Sequence, residues 1–158
     1  MNEAQERERG KVSVRFQKRL GSFLKVNGYT NKGFADIVGL NKDVISRATV
    51  YGIIPSTRSL MKIADHYGWS MAYLLGETDE NAFTPSAKPS TFHKRVETLR
   101  AEKKTRYATI VRTMTCTSNS FSQWKKTNSL PGLEFLEQIA AYFNVSLDYL
   151  LGRTDRKK

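Results

Sequence analysis

Cysteine is nearly absent from this sequence of 158 residues, where Cys116 is the single example. An intramolecular disulfide and a site with several thiolate ligands are therefore excluded, and a reducing compartment is expected. Histidine is also scarce, with two residues. The sequence has no glycine-rich phosphate loop, no paired metal-ligand spacing and no nucleophile placed beside a base, so we expect a protein that is not an enzyme and needs no cofactor or metal.

Long hydrophobic runs are missing as well. Residues 1–10 contain no apolar stretch of the kind found in a signal peptide. No later run approaches the roughly 20 apolar residues that span a bilayer. We therefore expect a cytoplasmic protein without a membrane partner.

Acidic residues are few relative to basic ones, at 15 against 26, which gives a net charge of +11. Residues 1–80 hold 12 basic and 9 acidic side chains, and residues 81–158 hold 14 and 6. Such an excess favours an anionic partner such as nucleic acid, although ordinary solubility charge would also explain it. The C-terminal cations Arg153, Arg156, Lys157 and Lys158 fit either a basic surface or a frayed, solvated tail.

An internal repeat becomes visible when the chain is aligned with itself at a shift of 76 residues, without gaps. Early matches are Phe16 with Phe92, Lys18 with Lys94, and Arg19 with Arg95. The agreement is best at the ends of the copies, where the residues Ser70, Tyr73, Leu74, Leu75, Gly76, Thr78 and Asp79 recur as Ser146, Tyr149, Leu150, Leu151, Gly152, Thr154 and Asp155. The repeat predicts two similar domains.

The segment between the copies is polar and contains Pro85 and Pro89, a composition typical of an extended connector. We predict a first domain at residues 1–77, a flexible linker at 78–90 and a second domain at 91–158. Fully stretched, such a linker spans about 45 Å.

Apolar residues within each copy recur at helical spacing, as in Phe16, Leu20, Phe23 and Leu24, and strand-like alternation is absent. Glycines at 28, 39, 52 and 68 divide the first copy into about five short helices. We therefore predict an all-α fold.

Residues 29–47 have the pattern of helix, tight turn and helix. Thr30 and Asn41 are suited to cap the two helices, and Gly39 permits a left-handed turn. Ala35 is small enough to let the helices cross closely. With Ile45 and Ala48 facing inward, the outer face of the second helix presents Lys42, Asp43, Ser46, Arg47 and Val50.

These features resemble the phage-repressor helix-turn-helix family, of the Cro-like, XRE type, over nearly all of both copies. Residues 60–76 and 136–152 resemble its last two helices. The resemblance implies two tandem five-helix, lambda-repressor-like domains whose third helix enters the DNA major groove. It makes Asn31 a phosphate contact and makes base readers of Lys42, Asp43, Ser46 and Arg47, although Asp43 also suits the helix dipole.

The second copy carries a different outward set. Tyr107 corresponds in position to Asn31, and the outward residues of the following helix are Ser118, Asn119, Ser122, Gln123 and Lys126, with Lys125 beside them for phosphate contact. Phe121 and Trp124 are expected in the core. Val111 replaces the small residue at the helix crossing and Thr115 replaces the turn glycine, so a reshaped turn is expected.

The family resemblance implies a sequence-specific transcriptional regulator, a repressor from a phage or other mobile element, that binds double-stranded DNA and is associated with the nucleoid. A protein-interaction module is the main alternative, in which one copy binds a protein partner. In a third interpretation, the first copy binds DNA and the second forms a homodimer.

Overall fold

The computed structural model describes residues 11–114 and 119–158. The chain divides into two compact units, residues 1–82 and 83–158, called here the N-terminal and C-terminal units. The described residues form helices and contain no strand, apart from one isolated antiparallel bridge between Val12 and Ile53. The predicted all-α character is therefore confirmed for this part of the chain.

Five helices form the described part of the N-terminal unit. They are α1 (Val14–Val26), α2 (Asn31–Val38), α3 (Lys42–Tyr51), α4 (Thr57–Tyr67) and α5 (Met71–Leu74). Each is preceded by an N-cap residue whose side-chain oxygen accepts a backbone N–H from the first turn; these residues are Ser13, Thr30, Asn41, Ser56 and Ser70. Such caps each contribute about 1 kcal/mol, which matters for helices of 4–13 residues.

The core of the N-terminal unit joins all five helices. Phe16, Leu20, Phe34, Leu60 and Ile63 are fully buried, and full burial of such a side chain contributes about 1.5–3 kcal/mol. Phe34 also belongs to a cluster of contacting aromatic rings, whose other members are Phe23, Tyr29, Tyr67 and Trp69. The α3 helix packs against α1 and α2, and its residues Ile45 and Ala48 are buried.

The described C-terminal unit contains α6 (Phe92–Lys103), α7 (Tyr107–Ile110), a 3₁₀ turn (Val111–Thr113), α8 (Asn119–Thr127), α9 (Leu133–Phe143) and α10 (Leu147–Leu150). Its core contains Phe92, Val96, Ile110, Leu136 and Ile139. The α7 segment has one α-helical turn and then a 3₁₀ turn, whereas α2 is a regular helix of 8 residues. Thr115 and Cys116 lie outside the described residues.

An arginine clamp recurs in both units at the spacing of the sequence repeat. In the N-terminal unit, Arg19 lies 4.2 Å from the ring centroid of Tyr73 and pairs with Asp79 at 3.3 Å. In the C-terminal unit, Arg95 lies 4.1 Å from the Tyr149 ring and pairs with Asp155 at 3.1 Å. The repeated residues therefore make the same contacts in each unit, joining its first helix to the segment that follows its last.

The residues predicted to form a flexible linker make hydrogen bonds within the unit that they adjoin. The Asn81 side chain accepts from the Ser70 N–H at 2.8 Å and donates to the Gly68 carbonyl at 2.9 Å. The Ser86 and Ser90 N–H groups donate to carbonyls of 153 and 152 at 2.9 and 3.0 Å. Both ends of this segment are therefore anchored.

The interpretation of the C-terminal cations as a frayed tail is wrong for Arg153. Arg153 is 5% exposed. Its guanidinium pairs with the buried Asp148 and lies 4.5 Å from the centre of the Phe83 ring. Lys157 is also engaged, because its amine pairs with Glu102 at 3.0 Å and its carbonyl accepts from the Ser146 N–H at 2.7 Å. Long-range contacts hold this segment in place.

Candidate nucleic-acid interface

The turn between α2 and α3 has the predicted local geometry. The Thr30 hydroxyl accepts the Gly33 N–H at 3.0 Å, and the Asn41 side chain accepts the Asp43 N–H at 2.8 Å. Gly39 has φ 74° and ends α2 in the left-handed region, where a residue with a Cβ is disfavoured. The predicted caps and the glycine turn are confirmed.

Contacts on the inner face of α3 fix the orientation of this helix. Ile45 and Ala48 are 0% and 1% exposed, as predicted, and Ala35 of α2 is also buried. The Gln17 amide of α1 donates to the carbonyls of Thr49 and Val50 at 3.1 and 2.9 Å. Because packing and hydrogen bonds both hold α3, its outer face is presented in a defined direction.

The outer face of α3 carries the predicted base readers. Lys42, Asp43 and Arg47 are exposed, and Ser46 is half-buried. Asp43 lies in the first turn of the helix, where its carboxylate also interacts favourably with the helix dipole. The face thus presents two cationic donors and one acidic acceptor close together.

Asn31 lies where the start of α2 meets α3. Its amide nitrogen is 3.5 Å from the Ser46 hydroxyl, and its amide oxygen accepts from the Thr49 hydroxyl at 3.4 Å. The structure therefore brings the predicted phosphate contact next to one of the predicted base readers.

The outer face of α8 carries most of the residues predicted for the second copy. Asn119, Ser122, Gln123, Lys125 and Lys126 are exposed. Ser118 lies outside the described residues.

Aromatic residues anchor α8 in the C-terminal unit. Phe121 is buried, as predicted, and Trp124 is half-buried. The Trp124 ring centroid lies 5.2 Å from that of Phe121, and 6.1 Å from those of Phe92 and Phe135. Trp124 therefore belongs to the edge of the core.

Tyr107 is held by groups that the sequence analysis missed. Its hydroxyl donates to Glu97 at 2.5 Å, and its ring packs against Phe121 with 4.7 Å between centroids. Arg100 pairs with the same carboxylate and lies 5.5 Å from the centre of the Tyr107 ring. The spacing of three residues between Glu97 and Arg100 could have indicated their pairing, whereas the contact with Tyr107 depends on how α6 and α7 pack.

The protonation states of this cluster follow from its hydrogen bonds. Those from Arg100 and Tyr107 lower the pKa of Glu97 to about 2, and the charge of Lys125 contributes. Burial and the hydrogen bond to Glu97 raise the pKa of Tyr107 to about 12. At neutral pH the cluster therefore contains an ionised carboxylate and a protonated phenol that donates to it.

A second basic surface of the N-terminal unit was not predicted. A groove of about 460 Å³ runs beside α1, with Arg15, Lys18 and Arg19 on its walls and the rings of Phe23 and Tyr73 among its lining residues. The groove does not include any of the predicted DNA contacts.

The structure describes residues 11–114 and 119–158. Over these ranges, no three side chains of His, Cys, Asp or Glu are placed to hold a metal ion. Every helix described is too short or too polar to span a membrane. Comparison of the chain with protein-family models, curated proteins and solved structures found no match.

Proposed function

We propose that this protein binds double-stranded DNA in a sequence-specific manner, with α3 of the N-terminal unit in the major groove. The observation that carries this proposal is the exposed set Lys42, Asp43 and Arg47 on a helix whose opposite face is fixed by Ile45 and Ala48. Reading bases requires side chains that project from a rigid element in a defined register.

The chemistry of this face suits base edges. Lys42 and Arg47 would donate to guanine O6 and N7, and Asp43 would accept from a cytosine amino group. Asn31, at the adjoining end of α2, would donate to a phosphate oxygen. The net charge of +11 would supply the sequence-independent part of the affinity.

As a biological role, we propose transcriptional regulation, with the protein acting as a repressor from a phage or other mobile element and located at the nucleoid. The two units would be tandem five-helix domains of the lambda-repressor type. The repeated arginine clamps support this interpretation, because the same contacts recur at Arg19 and Arg95. The proposed role includes no catalysis.

Selection of duplexes from a random pool by the full chain, followed by binding measurements at several salt concentrations, tests the proposal. We expect enrichment of a defined sequence, and an affinity that falls steeply with salt. Arg47→Ala should weaken binding to that sequence by about 1–3 kcal/mol and relax the preference at one base pair.

Lys18→Ala is the matched control, since it also removes one exposed cation but lies in the groove beside α1. It should leave the base preference intact. If no duplex sequence is enriched from the pool, or if the affinity does not change with salt, the proposal is refuted.

A second candidate function is contact with a protein partner or a second copy of the chain. Val12, Val14, Val50 and Tyr51 are exposed apolar side chains on two segments joined by the hydrogen bond from the Ser13 N–H to the Gly52 carbonyl. Grouped exposed apolar residues often mark protein contacts. Sedimentation of the full chain and of Tyr51→Ser would show whether this surface mediates self-association.

A further inference from the structure

We propose that base readout is confined to the N-terminal unit and that Glu97 weakens the approach of DNA to the C-terminal unit. This inference rests on the proposed function.

The position equivalent to the phosphate contact differs between the units. In the N-terminal unit it is Asn31, whose amide lies beside Ser46 and Thr49 on α3. In the C-terminal unit it is Tyr107, whose hydroxyl already donates to Glu97. A phosphate that approached the Tyr107 hydroxyl would meet the negative charge of this carboxylate, which is paired with Arg100, and would compete with it for the one proton that the hydroxyl donates.

The residue that supplies this charge is specific to the C-terminal unit. Glu97 has Gly21 as its counterpart 76 residues earlier, and Arg100 has Leu24. The N-terminal unit therefore has neither the acidic group nor its basic partner at the matching positions of α1. In water, the repulsion between like charges a few ångströms apart is comparable with what a typical hydrogen bond contributes, so Glu97 would offset the gain from a phosphate contact at Tyr107.

The backbone around Tyr107 also differs from that around Asn31. The α7 helix is one turn long, and its N-cap Arg106 makes no side-chain capping hydrogen bond. A 3₁₀ turn follows at Val111–Thr113. In α2, Thr30 caps 8 residues of regular helix. The phosphate contact of the N-terminal unit therefore lies on a longer helix that has a side-chain cap.

The cations of α8 still attract DNA. Lys125 and Lys126 are exposed in its last turn and would bind phosphates regardless of sequence. The C-terminal unit would thus add affinity without adding base preference.

The first test compares base preference among variants of the full chain, by selection from a random duplex pool. Arg47→Ala should change the selected sequence. The double variant Asn119→Ala, Gln123→Ala should select the same sequence as the unaltered chain. Lys125→Ala should weaken binding to all sequences equally and lower the slope of log affinity against log salt by about 1.

The outcomes separate this inference from the function on which it rests. If both Arg47→Ala and the α8 double variant select a changed DNA sequence, both units read bases. That result would overturn this inference and leave the proposed function standing. A pool without preference for the unaltered chain would overturn both.

The second test measures the position-specific effect of Glu97 on affinity. Glu97→Gln should raise the affinity for all sequences by about threefold, as expected for removing one like charge roughly 7 Å from a phosphate in water. Glu97→Asp retains the charge and should bind like the unaltered chain. Thermal unfolding of each variant checks that the fold is retained.

Glu102→Gln is the control, because it removes one negative charge from the same helix, where Glu102 pairs with Lys157. It should change the affinity less than Glu97→Gln does. Equal effects of the two variants would show that net charge alone acts, and would overturn the role assigned to Glu97.

Discussion

Three helix ends of the C-terminal unit adopt the left-handed backbone region with residues other than glycine. Lys104, Asn128 and Asn144 have φ between 51° and 56°, and glycines hold the equivalent positions, 28, 52 and 68, of the N-terminal unit. Asparagine tolerates this region better than most residues, whereas a lysine pays about 1–2 kcal/mol for the contact of its Cβ with the backbone. The repeat therefore preserves the backbone conformation even where its sequence has diverged.

Lys104→Gly should accordingly stabilise the protein. The gain from relieving the left-handed strain is partly offset by the greater freedom of glycine in the unfolded chain, so we expect a net increase of about 0.5–1 kcal/mol in the free energy of unfolding. Urea denaturation followed by circular dichroism measures it. Lys94→Gly is the control, because Lys94 is also exposed but lies inside α6. This variant should lower the free energy of unfolding by a similar amount. A change of the same sign in both variants would contradict the prediction.

The cluster around Glu97 should make stability depend on acid pH. Because Arg100 and Tyr107 lower the pKa of Glu97 from 4.5 to about 2, the stabilisation is fully present above about pH 4.5 and is lost as the pH falls through 2. Glu97→Gln lacks this contribution. The difference in unfolding temperature between the unaltered chain and the variant should therefore shrink between pH 5 and 2, and parallel curves over this range would refute it.

Among the helices, α2 and α3 could be predicted from sequence, because their signals are local. Thr30, Gly39 and Asn41 act on backbone groups within a few residues of themselves, and a short stretch of sequence contains all of the needed information. The inward and outward faces of α3 followed from helical periodicity for the same reason. These signals placed Lys42, Asp43 and Arg47 on the exposed face of α3.

The 3₁₀ turn after α7 and the anchored segment between the units could not be predicted in this way. Pro85 and the tail cations favour solvated chain by composition, yet Arg153 is buried against Phe83 and Asp148. The contact between residues 83 and 153 depends on tertiary packing, which composition does not encode. Glu97 was missed as a partner of Tyr107 because they lie on different helices.

The N-cap Asn41 supports the start of α3 through one hydrogen bond to the backbone. Asn41→Ala should lower the free energy of unfolding by about 1 kcal/mol, because the Asp43 N–H would lose its acceptor. Asn41→Ser keeps an acceptor at this position and should restore most of the loss. Thermal unfolding of the two variants checks the prediction, and equal destabilisation by alanine and serine would show that the capping bond contributes little.

The excess of positive charge is larger in the half of the sequence that does not contain α3. Residues 81–158 hold 14 basic and 6 acidic side chains, compared with 12 and 9 in residues 1–80. Charge governs the sequence-independent part of DNA binding, and the geometry of base contacts governs preference. A chain that joins the two kinds of surface gains affinity from one and selectivity from the other.

If the two units are produced separately, we expect the preference for a DNA sequence to stay with the N-terminal unit. Residues 1–82 and 83–158, produced as two proteins, keep the hydrogen bonds of Asn81, Ser86 and Ser90 within one fragment each. In the full chain, the tether holds the C-terminal unit near the DNA at an effective concentration of about 1 mM. If this unit binds DNA of any sequence with a Kd of about 10⁻⁴ to 10⁻⁶ M, the ratio of the two concentrations raises the affinity of the full chain by roughly 10- to 1,000-fold. Fragment 1–82 should thus select the same sequence as the full chain but bind it more weakly by this factor and with a smaller salt dependence. Fragment 83–158 should bind duplexes of any sequence alike, and a defined sequence selected by it would assign base readout to the C-terminal unit instead.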